Sequence, residues 1–138
     1  MRAAVVIDAS AALAWVLPGE GDAEGDALLD HVEERGAVAP ALWRIEVANI
    51  LLGAERQRRI QPGERTTRLA FLAALPIAAN PETSDKAWTE TVLLAERHGL
   101  TVYDACYLEL ALRLRLPLAT RDRDLKRAAD RVGLPSPA

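Results

Sequence analysis

The stretch AAVVIDAS, residues 3–10, predicts the class of fold and raises the first functional question. Its apolar run from Ala3 to Ile7 is continuous and rich in β-branched residues, which indicates a short, buried β-strand. Asp8 follows that strand directly, and a carboxylate among apolar neighbours has to be paired or solvated. The stretch therefore predicts a buried sheet with an acid at its edge, where further acids would form a functional site.

Short apolar segments alternate with helical patterns along the rest of the chain. Further strands are predicted at 37–39, 75–80 and 116–120. Helices are predicted at 11–17, 22–35, 40–59, 63–74, 84–98, 104–115 and 122–132. This alternation is typical of an α/β fold with a parallel sheet between helices. We expect a single domain over residues 1–138, in which 134–138 form a loose tail.

Three further predictions concern the residues that pack in the core and the residue that caps the first helix. In the long helix at 40–59, the apolar stripe expected to face the core consists of Leu42, Ile45, Ala48, Leu51 and Leu52. Trp15 and Trp43 are expected to be core residues, and an exposed one would instead be a candidate anchor for a protein partner. Ser10 is expected to cap the first helix.

Composition excludes several classes of protein. The single cysteine, Cys106, excludes an internal disulfide and a cysteine zinc site. No apolar run approaches the roughly 20 residues of a membrane span, and the N-terminus lacks the pattern of a signal peptide. We therefore expect a cytoplasmic protein that has no membrane partner.

Charge is unevenly distributed along the chain. The acidic segment, Gly19 to Glu34, holds seven acids and no Lys or Arg. The net charge of the whole chain is −3, so the residues outside this segment have a net charge of +4. Arginine supplies 15 of the 17 basic residues, and its planar guanidinium suits phosphate binding. The densest group of arginines consists of Arg56, Arg58, Arg59, Arg65 and Arg68. They are candidate nucleic-acid-binding residues, and the alternative is an ordinary solvated helix end and loop.

Four acids are predicted at element ends or on an apolar helix face: Asp8, Glu46, Asp104 and Asp122. In open parallel sheets, sites form at the carboxyl ends of the strands, where such side chains meet. Each acid also has a simpler explanation. Asp104 and Asp122 stand where helix N-caps are expected, and Glu46 has Arg44 and Arg59 as candidate ion-pair partners.

If the acids converge, their mutual repulsion raises their pKa values unless a cation is present. An all-oxygen donor set without clustered His or Cys suits Mg²⁺ or Mn²⁺. Such a site is completed by waters and substrate phosphates, which is the requirement of metal-assisted phosphodiester hydrolysis. Phosphate-binding glycine loops are absent from the sequence.

Four segments together resemble the PIN-domain ribonucleases and, within them, the VapC toxins of bacterial toxin–antitoxin pairs. They are VVIDASAAL at 5–13, EVAN at 46–49, TVYDACYLELAL at 101–112 and LATRDRDLKRAA at 118–129. The resemblance implies a three-layer α/β/α sandwich with a short, mostly parallel central sheet. Members of this family often end in an additional edge strand, which Pro135 and Pro137 disfavour here.

The resemblance also implies roles for individual residues. The family's four acids match Asp8, Glu46, Asp104 and Asp122, which would bind the metal and support catalysis. The polar residues that support the metal or its waters match Ser10, Asn49 and Thr120, and Asp124 is a candidate extra ligand. The implied activity is a Mg²⁺- or Mn²⁺-dependent endoribonuclease that cleaves transfer or ribosomal RNA and blocks translation. The implied partners are a small VapB-type antitoxin and a second copy of the chain.

Three alternatives stay open at the level of sequence. A housekeeping PIN nuclease in RNA maturation would use the same site without an adjacent antitoxin gene. A non-catalytic interaction module would keep the fold without a functional metal site. A phosphatase with Asp8 as the nucleophile is disfavoured, because Ser10 stands where such enzymes place a second Asp.

Overall fold

A computed structural model describes residues 4–137, and its centre is a four-stranded parallel sheet. The strands are β1 (Val6–Ile7), β2 (Ala37–Pro40), β3 (Ile77–Asn80) and β4 (Leu118–Ala119). Their order in the sheet is β3-β2-β1-β4, and Val6 of β1 pairs with Val38 on one side and Leu118 on the other. Because β1 is an interior strand, the residue that follows it lies in the middle of the carboxyl edge.

Helices cover the sheet and complete the predicted three-layer α/β/α sandwich. They are α1 (Ala9–Leu13), α2 (Ala23–Arg35), α3 (Leu42–Arg56), α4 (Glu64–Ala73), α5 (Thr83–Lys86), α6 (Val92–His98), α7 (Val102–Leu114) and α8 (Arg123–Arg131). Helix α7 packs directly against β1, β2 and β4, and every residue from Ala105 to Ala111 is buried. The prediction of one continuous helix at 84–98 is wrong in one respect. A π-helical turn, Ala87–Thr91, separates α5 from α6.

The predicted apolar stripe of α3 is confirmed at Leu51, which is buried, and at Leu42, which packs against the core, but it is wrong at Ile45 and Ala48. Ile45 is 72% exposed, Ala48 is exposed too, and the buried residues of the helix are Trp43, Val47, Leu51 and Ala54. Both sets of residues have helical spacing, so periodicity alone does not choose between them. The packed face is the one that carries the large Trp43 side chain, whose indole Nε1 donates a hydrogen bond to the Asp8 carbonyl at 3.3 Å.

Tryptophan burial agrees with the expectation for Trp43, which is 5% exposed, and Trp15 is half-buried against the core. Trp15 also donates from its indole nitrogen to the carbonyl of Gly25 at 2.8 Å. The exposed tryptophan is instead Trp88 in the π-helical turn, at 94%.

The chain after α8 adds no strand within the described residues, so the sheet there ends at β4. Leu134 still packs against the core, and its backbone N–H donates to the Ala129 carbonyl at 3.1 Å. The predicted first strand began at Ala3, and the predicted tail ended at residue 138; both positions lie outside the described residues. Within residues 4–137, no helix has the length and apolar character needed to cross a membrane.

Candidate active site

Asp8 lies at the carboxyl end of β1 and is only 5% exposed. Its Oδ1 accepts hydrogen bonds from the Ala11 backbone N–H at 2.9 Å and from the Ser10 hydroxyl at 2.8 Å. Its Oδ2 accepts from the Thr120 hydroxyl. Asp8 is therefore the N-cap of α1, and the assignment of that cap to Ser10 is wrong. Ser10 is the second residue of the helix and binds the cap residue instead.

The turn after β4 is joined to Asp8 by the same two hydroxyls. The Arg121 backbone N–H donates to Ser10 Oγ at 2.8 Å, and the Asp122 N–H donates to Thr120 Oγ1 at 3.0 Å. Asp122 then caps α8, because its Oδ2 accepts from the Leu125 N–H at 2.8 Å. The expected cap role of Asp122 is confirmed, and its other carboxylate oxygen makes no hydrogen bond within residues 4–137.

Glu46 extends from α3 and is half-buried. The hydroxyl of Tyr107, on α7, donates a hydrogen bond to Glu46 Oε1. Neither of the expected ion-pair partners contacts Glu46, since Arg59 pairs with Glu20 at 3.2 Å and Arg44 forms no ion pair within the described residues. Tyr107 was missed by the sequence analysis, although its position one turn after Asp104 on the same helix was an available signal.

Asp104 is the third residue of α7 and is half-buried. The N-cap of that helix is Thr101, whose hydroxyl accepts from the Asp104 backbone N–H at 3.1 Å. The expectation that Asp104 serves as an N-cap is therefore wrong. Asp104 instead lies in the first turn of the helix, where the side chain of Thr101 lowers the pKa of its carboxyl group against the effect of burial.

Burial and mutual repulsion raise the pKa values of three of these acids. Burial raises the pKa of Asp8, Glu46 and Asp104, and burial is the largest cause in each case. The Asp104 carboxylate adds to the increase in the pKa of both Asp8 and Glu46 by repulsion. Asp122 in turn raises the pKa of Asp104, and Asp124 does so more weakly. Asp104 is thus the common neighbour of the other predicted acids.

The side chains do not form a ready-made direct ligand set. Within residues 4–137, no three His, Cys, Asp or Glu side chains stand close enough together to hold a metal ion by themselves. Mg²⁺ is usually bound through one or two carboxylates and several waters, so its binding does not require three acids in direct contact with the ion. An all-oxygen group of mutually repelling, partly desolvated carboxylates fits that mode of binding, because a cation relieves the repulsion.

Two predicted supporting residues lie at the periphery. Asn49 is exposed, and no side-chain hydrogen bond within the described residues includes it. Asp124 is largely exposed and lies 3.6 Å from Arg127. Asp124 weakly raises the pKa of Asp104 by charge repulsion. It therefore lies near the candidate acids but is not buried among them.

The predicted RNA-binding arginines divide into two groups. Three of them form ion pairs: Arg59 with Glu20 at 3.2 Å, Arg65 with Glu55 at 2.8 Å and Arg68 with Glu64 at 2.6 Å. The guanidinium of Arg68 also donates to the Val16 carbonyl. The other two, Arg56 and Arg58, are exposed, and neither belongs to an ion pair within residues 4–137.

Comparison with known proteins identifies the family. The family model described as PIN domain matches residues 5–131, which include all four acids. The chain belongs to the PIN-domain family. Among PIN-domain relatives, it is 32% identical over 125 residues to Ribonuclease VapC3 from Pyrobaculum aerophilum, covering 88% of this chain and 91% of that protein. It therefore groups with the VapC-type ribonucleases.

A solved structure supports the PIN fold independently. The crystal structure of PAE2754 from Pyrobaculum aerophilum matches with a TM-score of 0.66 and 24% sequence identity. The match covers 93% of this chain and 86% of that one. The likeness confirms the predicted fold class.

Proposed function

We propose that this PIN-domain protein is a metal-dependent endoribonuclease that acts as a toxin of the VapC type. The observation that carries the proposal is the buried Asp8 at the centre of the carboxyl edge, together with Asp104, whose charge acts on the other acids. A VapC ribonuclease as a relative over most of the chain supports the same reaction class.

Asp8, Glu46, Asp104 and Asp122 would hold one or two Mg²⁺ or Mn²⁺ ions, partly through waters. A bound ion supplies an activated water and positive charge for the oxygens of the scissile phosphate. Ser10 and Thr120 hold both oxygens of Asp8, so that carboxylate keeps one orientation. Asn49 remains a candidate supporting residue on the exposed side of α3, and Asp124 a candidate additional ligand.

Two elements of the proposal concern RNA. Arg56 and Arg58 are the best candidates among the predicted arginines for holding the RNA backbone, since Arg59, Arg65 and Arg68 are engaged by carboxylates. Phosphate contacts of this kind position a nucleic acid without reading its sequence. The proposed substrate class, cellular transfer or ribosomal RNA, comes from the resemblance to the VapC toxins, and no cleavage sequence is designated.

The proposed partners follow from the VapC type. We propose that a small VapB-type antitoxin silences the enzyme, that the enzyme forms a homodimer, and that it acts in the cytoplasm, where its RNA targets are found. A housekeeping nuclease is the alternative within the same chemistry. Expression of the chain alone distinguishes the two, because a toxin arrests growth and co-expression of its antitoxin relieves the arrest.

Metal removal tests the proposed reaction directly. Purified protein, freed of any antitoxin, is incubated with total RNA in Mg²⁺, in Mn²⁺ and in excess EDTA, and the fragments are separated by electrophoresis. We expect discrete fragments with either metal and none in EDTA, with activity restored when metal is added back. Fragments that persist in EDTA would contradict the metal-dependent mechanism, and the absence of fragments under every condition would favour the non-catalytic interaction module.

Replacement of Tyr107 by Phe tests the link between α7 and Glu46. The Tyr107 hydroxyl lowers the pKa of Glu46 against the effect of burial, so its loss raises that pKa further. We expect kcat/KM to fall about 10-fold at neutral pH, as is typical when a supporting hydrogen bond at a metal site is lost. We also expect the acidic limb of the pH profile to move to higher pH. An unchanged limb would mean that Glu46 does not need to be ionised.

A further inference from the structure

A bidentate ion pair lies beside the proposed active site and joins two distant parts of the chain. Arg121 Nη1 contacts Asp22 Oδ2 at 2.8 Å, and Arg121 Nη2 contacts Asp22 Oδ1 at 2.6 Å. Asp22 precedes α2 in the acidic segment, whereas Arg121 lies between Thr120 and Asp122. Two parallel hydrogen bonds hold the guanidinium and the carboxylate in a more defined relative orientation than the single contact of an ordinary surface ion pair.

Both partners of this pair are held by further contacts. Asp22 Oδ1 also accepts from the Gly25 N–H at 2.8 Å, so the same carboxylate caps α2 and binds Arg121. Gly25 leaves room for the guanidinium, because a Cβ atom there would lie 3.0 Å from Arg121 Nη2 and 3.2 Å from Asp22 Oδ1. The Gly25 carbonyl accepts from the indole of Trp15, which packs against the core.

From Arg121 the contacts lead directly to the acids. Its backbone N–H donates to Ser10 Oγ, and Ser10 Oγ donates to Asp8 Oδ1, each at 2.8 Å. The next residue is Asp122, whose N–H donates to Thr120 Oγ1 at 3.0 Å. The ion pair is therefore connected by hydrogen bonds to the turn that carries Thr120 and Asp122.

We propose that Asp22 is a positioning residue of the active site, which acts through Arg121 to hold the turn from Thr120 to Asp122 in place. The catalytic consequence of this role rests on the proposed nuclease function, and the positioning of the turn does not. Asp22 thereby differs from the other acids of its segment. Within residues 4–137, Glu20 alone among those others forms an ion pair, and its partner is Arg59.

Asp22→Asn isolates the ion pair from the helix cap, because Asn and Asp are equally good N-caps. Asp26→Asn is the matched control, since it removes the same charge from the first turn of α2 at an exposed residue without an ion-pair partner among the described residues. Amide hydrogen exchange by NMR reports the turn directly. We expect the Arg121 and Asp122 amides to exchange about fivefold faster in Asp22→Asn, and core amides of α7 to be unaffected.

Cleavage kinetics report the consequence for the reaction. We expect kcat in Asp22→Asn to fall about 10-fold with KM nearly unchanged, whereas Asp26→Asn matches the wild type. Arg121→Lys keeps the charge without the planar fork, and we expect an intermediate loss. If the wild type cleaves no RNA, the proposed function fails, and the exchange measurement still decides whether Asp22 positions the turn.

Three results would overturn the proposal. Unchanged exchange and unchanged kcat in Asp22→Asn would mean that the pair is an idle surface contact. Faster exchange throughout the protein would mean that Asp22 supports only global stability. A lower KM in Asp22→Asn would mean that the carboxylate keeps Arg121 away from RNA instead of holding the turn.

Discussion

Asp8→Asn is expected to lower kcat/KM for RNA cleavage by at least about 100-fold, because metal assistance contributes several kcal/mol to such reactions. Asp8 is the most buried of the four acids and the only one at the centre of the carboxyl edge. Asn has the shape of Asp and keeps one side-chain oxygen, but it is neutral. The substitution therefore removes the negative charge that a bound cation would require. Cleavage of total RNA at matched protein concentration measures the effect.

The same variant is expected to remain folded. Asn is as good an N-cap as Asp, so α1 keeps its first hydrogen bond to the Ala11 N–H. Burial disfavours the charged form of Asp8, so the metal-free variant is expected to melt no lower than the wild type at neutral pH. Asp30→Asn, at an exposed position on α2, is the control and should retain full activity. Full activity in Asp8→Asn itself would exclude the acidic group as the catalytic centre.

The second large effect expected is a pH-dependent stabilisation by divalent metal. At pH 7.5, Mn²⁺ at 100 times its Kd should stabilise the fold by about 2.7 kcal/mol. For a chain of this size, that corresponds to a rise in Tm of roughly 10 °C. At about pH 5 the rise should be much smaller, because the acids must lose their protons to bind the ion and their pKa values are raised.

Without metal, the sign of the pH dependence is reversed. The folded state holds its protons on Asp8, Glu46 and Asp104 more tightly than the unfolded state does, because the pKa of each is raised in the fold. Stability therefore falls as the pH rises from the ordinary values of 3.8 and 4.5 through the raised ones. The melting temperature of the metal-free protein should therefore fall as the pH rises across that range.

Acids whose pKa is lowered in the fold have the opposite effect on stability: their contribution is lost as the pH falls, and this happens at lower pH. The pKa of Asp22 is lowered to about 2 by Arg121, so this contribution is lost only under strongly acidic conditions. Thermal melts at several pH values, with and without Mn²⁺, measure both effects, and Asp8→Asn serves as the metal-binding control. A Mn²⁺ effect that does not weaken as the pH is lowered through the pKa values of the acids would show that the ion binds elsewhere.

Much of the fold was predictable because its signals are local. The β-branched run before Asp8, the strand at 37–39 and the predicted helix end at residue 98, which Gly99 follows with a φ of +66°, each depend on a few adjacent residues. The four acids could also be selected as candidates from the sequence, because each follows a strand or lies on a recognisable motif. The parallel order of the strands explains why Asp8 and Asp122, which follow β1 and β4, lie at the same edge of the sheet.

The remaining features depend on residues far apart in the chain. The rotation of α3 about its own axis decides which of its apolar residues face the core. Trp43 is buried and Ile45 is exposed for this reason. Helical periodicity allows either face to be inward, so only packing distinguishes them.

The polar contacts of the site illustrate the same limit. Tyr107 reaches Glu46 across 61 positions, and Arg121 reaches Asp22 across 99. Residue type and local spacing identify the groups that are capable of chemistry. The partners that orient those groups are brought together only when the strands take their order in the sheet, because that order converts separation along the chain into contact in space.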